Sequence, residues 1–407
     1  MCSGNSLKQS AALLLLVALA VACAPGPLAT HASPPTSTEK AEPRIDNGLA
    51  PGEGISEIHM FDAQRGWAWA TDLGANSRLM STYDGGSTWA DRSPAATAYG
   101  QQGASFLDAD HAWLPTFDSG SNDAGLVYTR DGGKKWSPGA AAAGPYTGYK
   151  FASVKDGVAS TADVGAGNAY VRFYQTQDGG TSWSLVPVQS PTPETLQEGT
   201  IHICNICGDT ASLFLPNTVI ITHGDLAGDP QGAVRLTVTM DLGKTWSELK
   251  LALPSVTYDG SAVAPRSPIF FDEQHGVMLV HIFKTQDFSN YAYRVIALYS
   301  TNDGGHTWTR GGAVAEDVQT FESAIDVLSM TDVIVRCGSH LCATHDAGQA
   351  WMTATPDIDF GAFGTDHQLA QIDFISRTTG WAVLNEDDVF KLYKTTDGGH
   401  TWNLLSK

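Results

Sequence analysis

The residues of this 407-residue chain whose types recur at a fixed spacing are carboxylates and indoles. Seven aspartates (Asp84, Asp131, Asp178, Asp241, Asp303, Asp346 and Asp397) are each preceded two residues earlier by a threonine. Each is followed five residues later by a tryptophan, namely Trp89, Trp136, Trp183, Trp246, Trp308, Trp351 and Trp402. A carboxylate can serve as a general acid or base, or hold a cation. These seven, however, open a turn. The second residue after each is glycine in every copy, and a carboxylate in that place accepts hydrogen bonds from the backbone amides that follow. Leu242 and Ala347 replace the first glycine of the pair in two copies, which points to the second glycine as the left-handed residue. The tryptophan heads the next strand and offers a large ring for packing between sheets. A structural role is therefore expected for all fourteen residues, and no catalytic residue is assigned.

Successive aspartates lie 43 to 63 residues apart, the period of a β-propeller blade. A second phrase precedes most copies, as in Phe61-Asp-Ala-Gln-Arg-Gly-Trp67 and Phe374 to Trp381. An apolar residue, a polar turn and an alternating apolar run read as a hairpin. The expected fold is all-β, a seven-bladed propeller over 54–407 with four antiparallel strands per blade, here called A to D from the inside out. The A to B turns and the aspartate turns then share one end. The B to C and D to A connections share the other, where length and composition vary: 117–126, 184–209, 224–231, 250–268, 284–291, 338–341 and 357–367. Variable loops on a rigid scaffold are the expected binding face. Aromatic residues there, among them Tyr146, Tyr149, Phe288, Tyr291 and Phe360, either stack on sugar rings or pack the loops, and packing is favoured.

Four cysteines fall on that end: Cys204, Cys207, Cys337 and Cys342. Their short separations favour two local disulfides in an oxidising compartment, over pairing between the loops or a tetrathiolate zinc or redox site assisted by His202 and His340. Acidic loops with Asp225 and Asp229, Asp357 and Asp359, and Glu386-Asp-Asp388 lack the ligand spacing of a calcium loop and read as solvated. No nucleophile elbow, phosphate loop or histidine-based metal motif occurs. No cofactor and no metal are expected.

The formal charge of −19 argues against nucleic acid or an anionic lipid surface as the main partner, since neither is attracted to an acidic protein. At the amino terminus Lys8 precedes twelve apolar residues, Ala11 to Ala22, long enough for a signal-peptide core and too short to span a bilayer. Leu19-Ala-Val-Ala-Cys23 resembles a bacterial lipobox. Residues 1–22 are thus expected to be a lipoprotein signal peptide and Cys23 the lipidated residue. The stretch 23–53, rich in Pro, Ser, Thr and Ala, reads as a disordered tether. The expected location is the outer face of the cell membrane, with contact to the membrane through the lipid alone.

The nine-residue phrase, from Ser81-Thr-Tyr-Asp-Gly-Gly-Ser-Thr-Trp89 to Lys394-Thr-Thr-Asp-Gly-Gly-His-Thr-Trp402, resembles the Asp-box of bacterial neuraminidase repeats. That box also occurs in sortilin-type receptors, some xyloglucan-degrading glycosidases and the photosystem II assembly and stability factor family. The likeness covers roughly residues 56–402. Neuraminidases need an arginine triad to clamp a carboxylate. Their Arg-Ile-Pro signature is missing here, and the twelve arginines are scattered, with Arg65, Arg130 and Arg377 in predicted turns. The chain looks most like the photosystem II assembly factor group. That resemblance implies a protein-binding role in assembling or stabilising a membrane complex; the chain is expected to be a monomeric, non-catalytic scaffold whose partner is a membrane-associated or extracellular protein. The alternative is a glycan-binding protein or divergent glycoside hydrolase, which two carboxylates converging in the central funnel would favour.

Overall fold

A computed structural model describes residues 47–407 except 73–76, 96–97, 118–123, 143–146, 166, 193–195, 205–208, 215, 225–232, 255–260, 285–292, 315–323, 362–366, 388 and 407. Seven antiparallel sheets follow one another along the chain. Each is built from one contiguous stretch, beginning with Gly54–Met60, Gly66–Thr71, Ser77–Thr82 and Ala90–Asp91 in blade 1 and ending with His367–Phe374, Gly380–Glu386, Val389–Thr395 and Asn403–Ser406 in blade 7. The four-strand pattern has local breaks. Strand A is split in blade 2 (Ala98–Tyr99, Ser105–Phe106) and blade 5 (Ser261–Pro265, Ile269–Phe270). The outer edge of blade 3 is shared by Ser184–Leu185 and Thr200–Ile203, both paired with Asn168–Thr176. No helix among the described residues is long and apolar enough to cross a membrane.

Burial falls from the second strand outward. Gly66–Thr71 and Gly380–Glu386 are buried on both faces, whereas Ser247–Ala252, an outermost strand, is largely exposed. The seams between blades hold the core, because each sheet packs both faces against neighbours. Trp113 stacks on Phe151 of blade 3 with ring centroids 3.7 Å apart. Its indole N–H donates to the Gly179 carbonyl at 2.9 Å, tying blade 2 to the aspartate turn of blade 3.

The turn phrase makes one hydrogen-bond pattern seven times. In blade 1 the buried Thr82 hydroxyl donates to Asp84 Oδ1 (2.9 Å) and accepts from the Gly86 amide (2.9 Å), while Asp84 Oδ1 also accepts from the Thr88 amide (2.9 Å). In blade 7 Thr395, Asp397, Gly399 and Thr401 repeat it. The sequence expectation of a single left-handed residue needs correction. Both positions after the aspartate have positive φ: Gly85 at 77° and Gly86 at 95°, and likewise Leu242 and Ala347, each at 58°. Left-handed geometry costs a residue with a Cβ about 1–2 kcal/mol. Glycine returns about 0.4–1 kcal/mol of that as unfolded-chain entropy. Ala347→Gly is therefore expected to stabilise the protein by about 0.5–1 kcal/mol, read as a higher urea midpoint; an unchanged or lower midpoint would show that Ala347 is unstrained.

Among the described residues the ring closes without exchanging a strand, since blades 1 and 7 each complete their own sheet. Side chains join them. The Trp381 indole donates to the Gly85 carbonyl at 2.9 Å, and Gln371 makes two bonds to the backbone of Ile58, both 2.8 Å. Asp373 Oδ2 accepts from the Met60 amide at 2.6 Å. Ile55, Ile58, Met60, Met80, Val383 and Leu392 bury the seam.

Candidate functional site

Strand A alternates inward and outward, so the residue just before its buried apolar anchor faces the channel. Met60, Phe151 and Phe374 are such anchors, all buried. The preceding residues are His59 in blade 1 and, around the ring, Lys150 in blade 3 and Asp373 in blade 7. Ser105 and Asp326 hold the same register in blades 2 and 6, while Leu213 and Ile269 hold it in blades 4 and 5. The channel wall is thus polar along one arc, blades 6, 7, 1, 2 and 3. A recess of about 360 Å³ opens in that arc, lined by His59, Ser105, Phe106, Tyr149, Lys150 and Asp373 among others. It adjoins a second recess at Glu57 and Gln101, where the split in strand A of blade 2 turns Gln101–Ala104 toward the channel.

The polar groups hold one another and the blades. His59 Nε2 lies 2.7 Å from Glu57 Oε1, and Gln101 Nε2 donates to Glu57 Oε2. Asp326 accepts from the Phe374 amide, as Asp373 accepts from Met60, and Ser105 Oγ accepts from the Phe151 amide at 3.1 Å. Each bond joins one blade's channel side chain to the backbone of the next.

Electrostatics follow from the setting. Desolvation pushes Asp373 up to about 7, with the Asp326 charge adding to it and the Met60 amide and His59 opposing. Desolvation raises Asp326 to about 6 against the bonds from the Phe374 and Val327 amides. For His59 desolvation opposes the imidazolium, but the bond and charge of Glu57 and the charge of Asp373 prevail, so its pKa is raised. Glu57 is desolvated too, yet His59 and Gln101 bring it below the usual carboxylate range. Lys150 is open to channel water, but the surrounding walls displace enough of it to lower the ammonium's pKa. The arc therefore combines one cation, a Glu–His pair and two carboxyls raised to about 6 and about 7.

None of these five titratable residues was singled out from the sequence. The available signal was the register: the position before the strand A anchor, compared across the seven copies, is polar in five. The seven aspartates stand instead at the turn end, each bonded to the threonine two residues before it. The tryptophans sit at blade seams; Trp136, Trp183 and Trp246 donate to the carbonyls of Arg92, Ala140 and Gln189 in the preceding stretch.

Cys337 and Cys342 are joined in a disulfide with Cα atoms 5.8 Å apart. Cys204 is also disulfide-bonded. Cys207 lies outside the described residues, as do Cys23, Asp225, Asp229, Asp388, Tyr146, Phe288 and Tyr291. Tyr149 and Phe360 are buried, so their rings pack against Trp183 and Trp402 rather than face solvent. Asp357 and Asp359 accept backbone amides of Trp402 and Gly361, and Glu386 pairs with Lys391. Among the described residues no group of three or more potential ligands is placed to hold a metal. Arg65 and Arg377 pair with Asp62 and Asp332, and Arg130 lies over Tyr128, so these arginines form no triad.

Fold and channel together define a seven-bladed β-propeller with a one-sided polar channel. Among solved structures, the chain is similar to YCF48 bound to D1 peptide, at 16% identity over 85% of this chain and 94% of that one, with a TM-score of 0.46. It is also similar to a PL25 ulvan lyase, a polysaccharide lyase, at 12% identity over 88% and 95%, with a TM-score of 0.48. A third is the α-L-arabinofuranosidase Arb93A of Fusarium graminearum, at 12% over 74% and 94%, with a TM-score of 0.36. No protein-family model matches the chain. No curated protein matches it either. Propellers of this kind include both binding proteins and carbohydrate-active enzymes, so the fold leaves the activity to be argued from the site.

Proposed function

We propose that this chain is an exported, non-catalytic binding scaffold, held at the outer face of the cell membrane by acylation of Cys23 and lifted from it by residues 24–53. The propeller presents its connection end to a membrane-associated or extracellular protein, and a segment of that partner enters the channel to reach the recess of blades 7, 1, 2 and 3, which lies toward the A to B turns. One observation carries the reading: the channel carboxyls of Asp326 and Asp373 each accept a backbone amide of the next blade. Groups fixed in this way stiffen a binding wall and have less freedom to exchange protons with a substrate. Lys150 and His59 add charge for recognition, which governs specificity and encounter rate.

The test is quantitative mass spectrometry of proteins co-isolated from membranes after mild crosslinking, with Cys23→Ala and Lys150→Glu variants alongside the tagged full chain. One or two proteins enriched with the anchored form, and reduced about threefold or more by Lys150→Glu, are expected. No protein above the Cys23→Ala control would sink the scaffold reading. A second reading, a glycan binder or divergent glycosidase, is favoured by Asp373, a carboxyl that still holds its proton near pH 7 as a glycosidase acid does. Hydrolysis in a glycan screen that is lost in Asp373→Asn would establish it.

A further inference from the structure

Blade 4 carries a row of bases. Across its sheet His223 pairs in register with Arg235, and Arg235 with Lys250, so the three side chains lie side by side on one face. Ile221 and Thr237 share that face, and Ile221 packs in the core cluster with blade 3, so the row looks into the seam between blades 3 and 4. His223 ends the second strand, Thr218–His223, which places the row at the connection end. A cleft opens there, lined also by Thr192 from the blade 3 side, with buried Ile221 in its floor.

This arrangement is unfavourable in an empty protein. Like charges directly opposite one another on neighbouring strands destabilise a sheet, and among the described residues neither Arg235 nor Lys250 has an ion-pair partner. Glu248, diagonal to Arg235, is the cleft's acid and makes no salt bridge with it. A lysine on an outermost strand is a common guard against edge pairing. That accounts for Lys250 but not for Arg235 on the covered strand, nor for the alignment with His223. The hydroxyls are also placed. Thr237 Oγ1 is 2.7 Å from His223 Nε2, and His223 Nδ1 is 3.2 Å from Asp209 Oδ2, so the imidazole is fixed from both sides.

We propose that this cleft is a binding site for a tetrahedral oxyanion, the sulfate or phosphate group of a small ligand. Arg235 and Lys250 reach it from adjacent strands, and the Thr192 hydroxyl offers a donor from the blade 3 side. An anion between the two cations turns their repulsion into attraction, and the apolar floor strengthens that attraction by excluding water. The site is remote from the channel and does not depend on the protein-scaffold reading.

The test is calorimetric titration of inorganic sulfate into the full chain at constant ionic strength. A single-site isotherm with Kd of about 1 mM is expected. Arg235→Gln should weaken it about tenfold and Lys250→Gln about threefold. Glu248→Gln should tighten it about threefold by removing the opposing charge, a gain that a misfolded variant does not produce. Galactose 6-sulfate and phosphoserine run in parallel. Tighter binding of either ester assigns the group to a larger ligand, and equal affinities assign the site to the free anion. No saturable binding of any of the three up to about 20 mM, or an isotherm indifferent to both Arg235→Gln and Glu248→Gln, overturns the proposal and leaves the row as edge protection.

Discussion

Trp381→Ala is expected to lower the stability of the propeller by about 3–5 kcal/mol, the range for removing a fully buried large aromatic side chain, and to open the ring. Trp381 is buried to 0% exposure in the seam where the last blade meets the first. Among the described residues no shared strand bridges that seam, so its cohesion comes from packing and a few side-chain bonds. The substitution removes one of the two indole rings of the cluster. It also leaves the Gly85 carbonyl without the indole N–H that it accepts, and an unpaired buried polar group costs about 1–3 kcal/mol. Trp381→Phe isolates that second part and should cost correspondingly less. The two effects differ in place as well as size. In the alanine variant, faster hydrogen exchange should concentrate in Gly54–Met60 and His367–Phe374, with a larger radius of gyration by small-angle scattering. Trp113→Ala, in an interior seam, should destabilise comparably without opening the ring. If Trp381→Ala unfolds within about 1 kcal/mol of the parent, the seam is held by something other than this indole.

Asp373→Asn should flatten the pH dependence of stability between about pH 4 and 7. The sign follows from linkage. Asp373 titrates near 7 when folded, raised first by desolvation and then by Asp326, and near the ordinary aspartate value when unfolded. Between those values the folded protein holds more protons than the unfolded one, so stability is full below the unfolded value and falls as pH rises through the folded one. Asp326, raised to about 6, adds to the same fall. Carboxylates such as Asp397, lowered to about 2 by bonds from Thr401 and Thr395, act in the opposite sense, and their contribution is lost only in stronger acid. Asparagine keeps an oxygen for the Met60 amide but no titrating proton. The variant should gain about 1–3 kcal/mol on the parent at pH 8 compared with pH 5. Urea unfolding at the two pH values measures it. A parent protein equally stable at both would show that Asp373 titrates normally and that the channel is better solvated than its walls suggest.

Blade count, the strand order within each blade and the sharing of one end by the turns can all be read from the repeat. These are local properties. A threonine, an aspartate and a glycine within five residues close their own turn, and a tryptophan at fixed distance supplies the seam, so a repeating phrase is enough to read them. The same locality made the aspartates legible as turn residues, with bonds such as Thr82 to Asp84 spanning two positions. It misled at one point. Leu242 and Ala347 suggested that the first position after the aspartate is not left-handed, whereas the turn imposes φ of 58° on both. How the ring closes, and which polar side chains meet across its channel, follow from the assembly of the seven sheets. Met60 and Asp373 are far apart in sequence and meet because seven sheets complete a circle. The raised pKa of Asp373 comes from neighbours on other blades. The alignment of Arg235 with Lys250 depends on strand register, and its exposure depends on where blade 3 ends. Such properties arise from closure and pairing between distant segments, and no repeat of 43 to 63 residues encodes them.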